Sequence, residues 1–112
     1  MNYWAIPGIL KCKSISLEWI LEAVCLYMNV PKKAVMGRKK DRECVDARQI
    51  YCYIARKKTS KSLQRIGETI GKDHSTVLCS IRIIEDRLFT NDKSVNKKVI
   101  EQIEKIINDR VE

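Results

Sequence analysis

The chain has 112 residues, the length of one domain and enough to bury a single core without a disulfide framework or a structural metal. Its formal net charge of +8 and isoelectric point near 9.4 favour an acidic polymer or an anionic surface as partner, while 45% hydrophobic residues exclude a disordered tail. Five cysteines (Cys12, Cys25, Cys44, Cys52, Cys79) form no Cys-x-x-Cys pair and His74 is the one histidine, so a zinc finger is not expected and the thiols read as small hydrophobes of a reducing, cytoplasmic setting.

Residues 1–13 carry Trp4, Ile6, Ile9 and Leu10 around Pro7-Gly8. This stretch is too apolar for a free tail and is expected to pack as an irregular arm. It has no signal-peptide pattern, and no run in the chain approaches the roughly 20 apolar residues of a membrane span. A soluble protein is expected.

Ser16 precedes Leu17, Ile20, Leu21, Val24, Cys25 and Met28, steps of three and four that predict an amphipathic helix with Ser16 as its N-cap. Asn29-Val30-Pro31 ends it. Pro31 suits the first position of a short helix through Val35 that Gly37 closes. Arg38-Lys39-Lys40-Asp41-Arg42 has loop composition. Cys44, Ala47, Ile50, Tyr51, Ile54 and Ala55 then predict a helix from about Asp41 to Lys57. Thr59-Ser60-Lys61 breaks the chain, and Ser62 can cap a helix holding Leu63, Ile66 and Ile70.

Gly71-Lys72-Asp73 separates that helix from another with Val77, Ile81, Ile84 and Leu88, a helix-turn-helix spacing. Thr90-Asn91-Asp92 is the next break. A last helix is expected within 91–112, with Val95, Val99, Ile103, Ile106 and Ile107 as its stripe. No segment alternates with period two, so the fold is predicted all-α, a bundle of five to six helices. Residues 14–90 form the main unit, and the last helix packs on it.

Asp73, His74, Ser75 and Thr76 crowd the first turn of the helix after Gly71. A helix start carries unsatisfied N–H groups and a positive dipole end, which suits phosphate or a polar base edge. Asp73 reads equally as an N-cap or as an acceptor for the exocyclic amine of cytosine. Ser75 and Thr76 read as ordinary first-turn residues or as groove contacts. His74 lacks the neighbours that catalysis or metal binding needs. Gly67 to Asp73 is superficially P-loop-like, but it is one residue short between its glycines and has Asp73 where Ser or Thr must hold magnesium. No nucleotide site, cofactor or metal is expected.

Basic runs are often solvated surface. Here Arg38 to Arg42 and a second cluster (Arg56, Lys57, Lys58, Lys61, Arg65) flank one polar helix start, which points to a nucleic-acid face. The few aromatics (Tyr51, Tyr53, Phe89) form no stacking platform, so duplex DNA is preferred over single strands.

Asp46-Ala47-Arg48-Gln49-Ile50 through Ala55-Arg56, Ser62-Leu63-x-x-Ile66-Gly67, Asp73-His74-Ser75-Thr76-Val77-Leu78 and Arg82-x-Ile84-Glu85 together resemble the C-terminal DNA-binding domain (domain IV) of the bacterial replication initiator DnaA. The resemblance runs from about Ser16 to Leu88. It implies a Trp-repressor-like helix-turn-helix that reads a short non-palindromic duplex site, the DnaA box. By that resemblance Asp73, His74, Ser75 and Thr76 meet bases in the major groove. The resemblance also implies that Lys40, or a neighbour among Arg38, Lys39 and Arg42, enters the minor groove, and that Arg56, Ser62, Leu63 and Gln64 lie along phosphates. The nearby cations Lys58, Lys61 and Lys72 are expected on phosphates as well. The chain departs from the family at several positions. Gly71-Lys72 stands for two glycines and a base, Ser75 for a threonine, Cys79 for a histidine, Gln64 for a proline, and Lys40 for an arginine whose planar fork lysine lacks.

No ATPase module precedes this stretch, so the expectation is a box-binding chain that builds no ATP-driven filament. Full-length initiator or replication proteins are further candidate partners. The rival reading, an adaptor that binds protein through the last helix, predicts that the Val95–Ile107 stripe is exposed. An enzyme would need clustered acids, which the sequence does not offer.

Overall fold

The computed structural model describes residues 16–37, 42–93 and 95–111, with Arg110 and Val111 as backbone. The apolar arm (1–13), Cys12 and the basic residues Arg38, Lys39 and Lys40 lie outside these. Six helices run through the described residues: α1 (Leu17–Met28), α2 (Lys32–Met36), α3 (Arg42–Lys58), α4 (Leu63–Ile70), α5 (His74–Thr90) and α6 (Lys97–Val111). The fold is all-α.

The helix ends follow from local chemistry. Ser16 accepts the Trp19 N–H at 3.2 Å and starts α1, and Asn29 ends it in the left-handed region at φ 58°, a conformation asparagine tolerates. Pro31 is the N-cap of α2, not its first residue, so the helix starts one residue later than the sequence suggested. Ser62 caps α4 through the Arg65 N–H at 3.1 Å. Asn91 closes α5 at φ 59°.

The central helix is α3, which buries Ala47, Ile50, Tyr51, Ile54 and Ala55 completely. Around it the apolar stripes of α1, α4, α5 and α6 close one core. Thr69 donates its hydroxyl proton to the Ile66 carbonyl, so in the bond between Tyr51 and Thr69 the buried phenol is the donor.

One expectation about the last helix is corrected. Val95 lies before α6, not within it, and Asn96 accepts the Val99 N–H at 3.2 Å. Val95 and Ile100, both buried, occupy the positions flanking such a cap that staple a chain to its helix. Ile103 and Ile107 are also buried, Trp19 Nε1 donates to the Ile107 carbonyl at 3.1 Å, and Tyr27 donates to Gln102. The stripe is core. It is not the exposed docking face that the adaptor reading required.

Candidate nucleic-acid interface

The turn between α4 and α5 is made by two glycines with different tasks. Gly71 takes φ 70°, where a side chain is strained. Its N–H reaches the Glu68 carbonyl, and the Lys72 N–H reaches the Gly67 carbonyl at 2.9 Å. This pair of bonds is a Schellman ending. Gly67 lies inside α4, where a Cβ would stand 2.3 Å from the Lys72 carbonyl oxygen. The turn can fold back this tightly only over a glycine.

Asp73 then caps α5, accepting the Thr76 N–H at 2.9 Å. That bond, helped by Thr76's hydroxyl and the neighbouring His74, holds its carboxyl below the ordinary 3.8. Asp73, His74, Ser75 and Thr76 are all exposed, so the first turn of α5 offers an acceptor, two hydroxyls, an imidazole and the positive helix end on one solvent-facing surface.

The residues expected on phosphates gather mostly at the α3–α4 connection. Arg56, Lys61, Ser62 and Gln64 are exposed, and Lys58 and Leu63 are half-buried. Arg56 Nη1 donates to the Lys61 carbonyl at 2.9 Å, which folds the connection back on the end of α3. At the start of α4 the Leu63 and Gln64 N–H groups fall outside the helical ladder, a ready cradle for an anion. Two other members of the basic cluster are engaged elsewhere. Lys57 pairs with Glu104 of α6 at 3.1 Å, and Arg65 pairs with Glu68 at 3.4 Å.

Lys72 does not join this group. Its half-buried side chain crosses to α2, where Nζ lies 3.3 Å from the Gly37 carbonyl oxygen. Arg48 of α3 meets the same place. Its Nε donates to the Val35 carbonyl at 2.9 Å and its Nη2 to that of Gly37 at 3.2 Å. Arg42 is exposed at the start of α3. Among the described residues no three His, Cys, Asp or Glu side chains gather where they could hold a metal ion, and no helix is long and apolar enough to cross a membrane.

The family described as "Bacterial dnaA protein helix-turn-helix" matches residues 17–84, from the first residue of α1 into α5. Over 89 residues the chain is 38% identical to chromosomal replication initiator protein DnaA 1 of Chlamydia pneumoniae, covering 80% of this chain and 19% of that protein. It is 36% identical over 97 residues to the DnaA initiator of Caldanaerobacter subterraneus, covering 87% and 21%. It is 42% identical over 69 residues to DnaA 2 of Chlamydia caviae, covering 62% and 15%. The chain spans at most 21% of the length of these relatives.

Proposed function

The chain belongs to the bacterial DnaA helix-turn-helix family, and on that footing we propose that it binds duplex DNA with sequence preference, at sites like the DnaA box, in replication initiation or its regulation. The observation that carries the reading is the exposed first turn of α5, where Asp73, His74, Ser75 and Thr76 stand together beyond a tight glycine turn. In a major groove Asp73 accepts from a cytosine amine, and the Thr76 methyl packs on a thymine methyl.

Arg56, Lys58, Lys61, Ser62, Leu63 and Gln64 supply phosphate contacts, which fix register and carry most of the affinity. Lys40, with Arg38, Lys39 and Arg42, is assigned to the adjacent minor groove. Residues 14–90 read the duplex, and 91–112 brace that unit. The setting is cytoplasmic, on the nucleoid, and no catalysis is assigned to the domain.

The test is binding to a labelled duplex carrying a DnaA box against a scrambled duplex, at two salt concentrations. Each phosphate neutralised contributes about −0.9 to the log–log salt slope. A preference of roughly a thousandfold is expected of a sequence reader. In the same assay Asp73→Ala relaxes specificity more than affinity, and Lys40→Ala weakens binding. Equal loss on both duplexes with Asp73→Ala would remove Asp73 from base reading. A steep slope without preference would leave a basic DNA coat, and absence of binding at low salt would end the proposal.

A further inference from the structure

Two stretches assigned to DNA begin at adjacent points of the fold. The basic segment begins after Gly37, which closes α2, and the reading helix begins after Lys72, which closes the helix-turn-helix turn. The two points are neighbours. A Cβ on Gly71 would lie 3.7 Å from the Met36 carbonyl oxygen. They are also tied through one atom, because the Gly37 carbonyl oxygen accepts from Lys72 Nζ at 3.3 Å and from Arg48 Nη2 at 3.2 Å. Arg48 fastens the end of α2 to α3. Lys72 is the side chain that fastens it to the turn before Asp73, a bond across 35 residues of sequence.

We propose that Lys72 is a positioning residue, acting on DNA recognition through the Gly37 carbonyl and not as a phosphate ligand. Lys72 is half-buried, and its Nζ bond runs to α2, while the exposed cations of the α3–α4 connection are the ones open to a phosphate backbone. By holding Gly37 to the turn, Lys72 sets where the chain leaves α2 relative to the start of α5. Two groups that read neighbouring grooves must keep that spacing to engage one site together. A scrambled duplex, bound through phosphates alone, does not need it.

The inference rests on the duplex-reading function proposed above, and one experiment separates the two. Binding of the unaltered chain, Arg56→Ala, Lys72→Met and Lys72→Arg is measured on box and scrambled duplexes across a salt series. For Lys72→Met, box affinity should fall on the order of tenfold, as for loss of a specifying contact. Affinity for the scrambled duplex and the salt slope should stay unchanged. Lys72→Arg, which keeps a donor of similar reach, should restore the preference. Arg56→Ala should instead lower both affinities and flatten the slope by about 0.9.

If Lys72→Met behaves like Arg56→Ala, the positioning role is overturned while duplex reading stands. If the unaltered chain shows no box preference, duplex reading falls and this inference falls with it. A measurement on the unaltered chain covers the case in which Lys72→Met does not fold. In an NMR titration with scrambled duplex the Lys72 ε-methylene signal should stay in place as the Arg56 δ-methylene signal moves. Parallel movement of both would overturn the proposal.

Discussion

Arg87 of α5 reaches Asp46 of α3 with Nη1 2.8 Å from Oδ1, and the two side chains are only 14% and 11% exposed. Burial alone disfavours the guanidinium charge. The bond to Asp46, and then the one to Asp92 at 3.4 Å, more than offset that and raise its pKa. The pair lies at the end of α5 remote from Asp73, so it anchors the reading helix to the core helix from behind. Asp46→Ala leaves a nearly buried cation with the more distant Asp92, and it should cost about 3 kcal/mol in urea unfolding. Asp92→Ala leaves the close pair intact and should cost about 1 kcal/mol. Equal costs would mean that the pair is not the anchor.

Gly67 and Gly71 serve the same turn but should respond differently to a methyl group. At Gly71 alanine makes only an ordinary contact, 3.7 Å to the Met36 carbonyl oxygen, and is opposed by the positive φ, a strain of about 1–2 kcal/mol. At Gly67 the new Cβ would fall 2.3 Å from the Lys72 carbonyl oxygen and 3.2 Å from Val77 Cγ2. The first of these neighbours is backbone and cannot rotate away. Gly67→Ala should therefore cost about 3 kcal/mol and shift the urea midpoint further than Gly71→Ala. The reverse order would show that α4 and α5 can separate without loss.

Local features of this fold were legible in the sequence. Ser16, Ser62 and Asp73 each stand before an apolar period, and each accepts the N–H three residues on. The breaks at Asn29 and Asn91 are left-handed residues. Val95 was misplaced because its four-residue step to Val99 mimics helix periodicity, although the chain between them is bent by the Asn96 cap. Gly67 falls between Ile66 and Ile70 of a helix expected from the sequence, but its purpose appears only once Lys72 folds back over it. Pairings between distant elements were not legible: Asp46 with Arg87, Lys57 with Glu104, and Lys72 with Gly37. Composition shows that charges are present, and only the packed helices decide which of them meet. For that reason Lys57 and Lys72, both counted toward the nucleic-acid face, turn out to be bound within the protein.

The Asp73 cap should be sensitive to acid. Its carboxyl is held below 3.8 by the Thr76 N–H, so near that pH the folded chain binds fewer protons than the unfolded one. The stabilisation is complete above 3.8 and is lost as pH falls through the lower, folded value. Asp73→Asn keeps an oxygen for the N–H but has no proton to gain. The stability difference between the two proteins should be constant from neutral pH down to about 4 and shrink below it. Comparing the pair cancels the other carboxylates. A difference that stays flat in acid would mean that charge contributes nothing to the cap.

The thiols should divide by burial. Cys79 is exposed on α5, whereas Cys25, Cys44 and Cys52 are buried. Burial pushes Cys52 from 9.0 up to about 12, opposed in part by a hydrogen bond with Ser80. It pushes Tyr51 up to about 12 as well. In a Cys12→Ser background at neutral pH, iodoacetamide should modify Cys79 in the native state and reach Cys52 only on unfolding. Above pH 9.0 an unfolded chain sheds the Cys52 proton that the folded chain keeps, so stability should fall as pH rises toward 12, by about 1.4 kcal/mol per pH unit for one such group. Cys52→Ala should lower stability at neutral pH through the small cavity it leaves, yet show the shallower decline in alkali, with Tyr51 still contributing above pH 10. Identical alkaline slopes in the two proteins would show that the Cys52 thiol ionises as readily in the fold as out of it, and would place it outside the sealed core between α3 and α5.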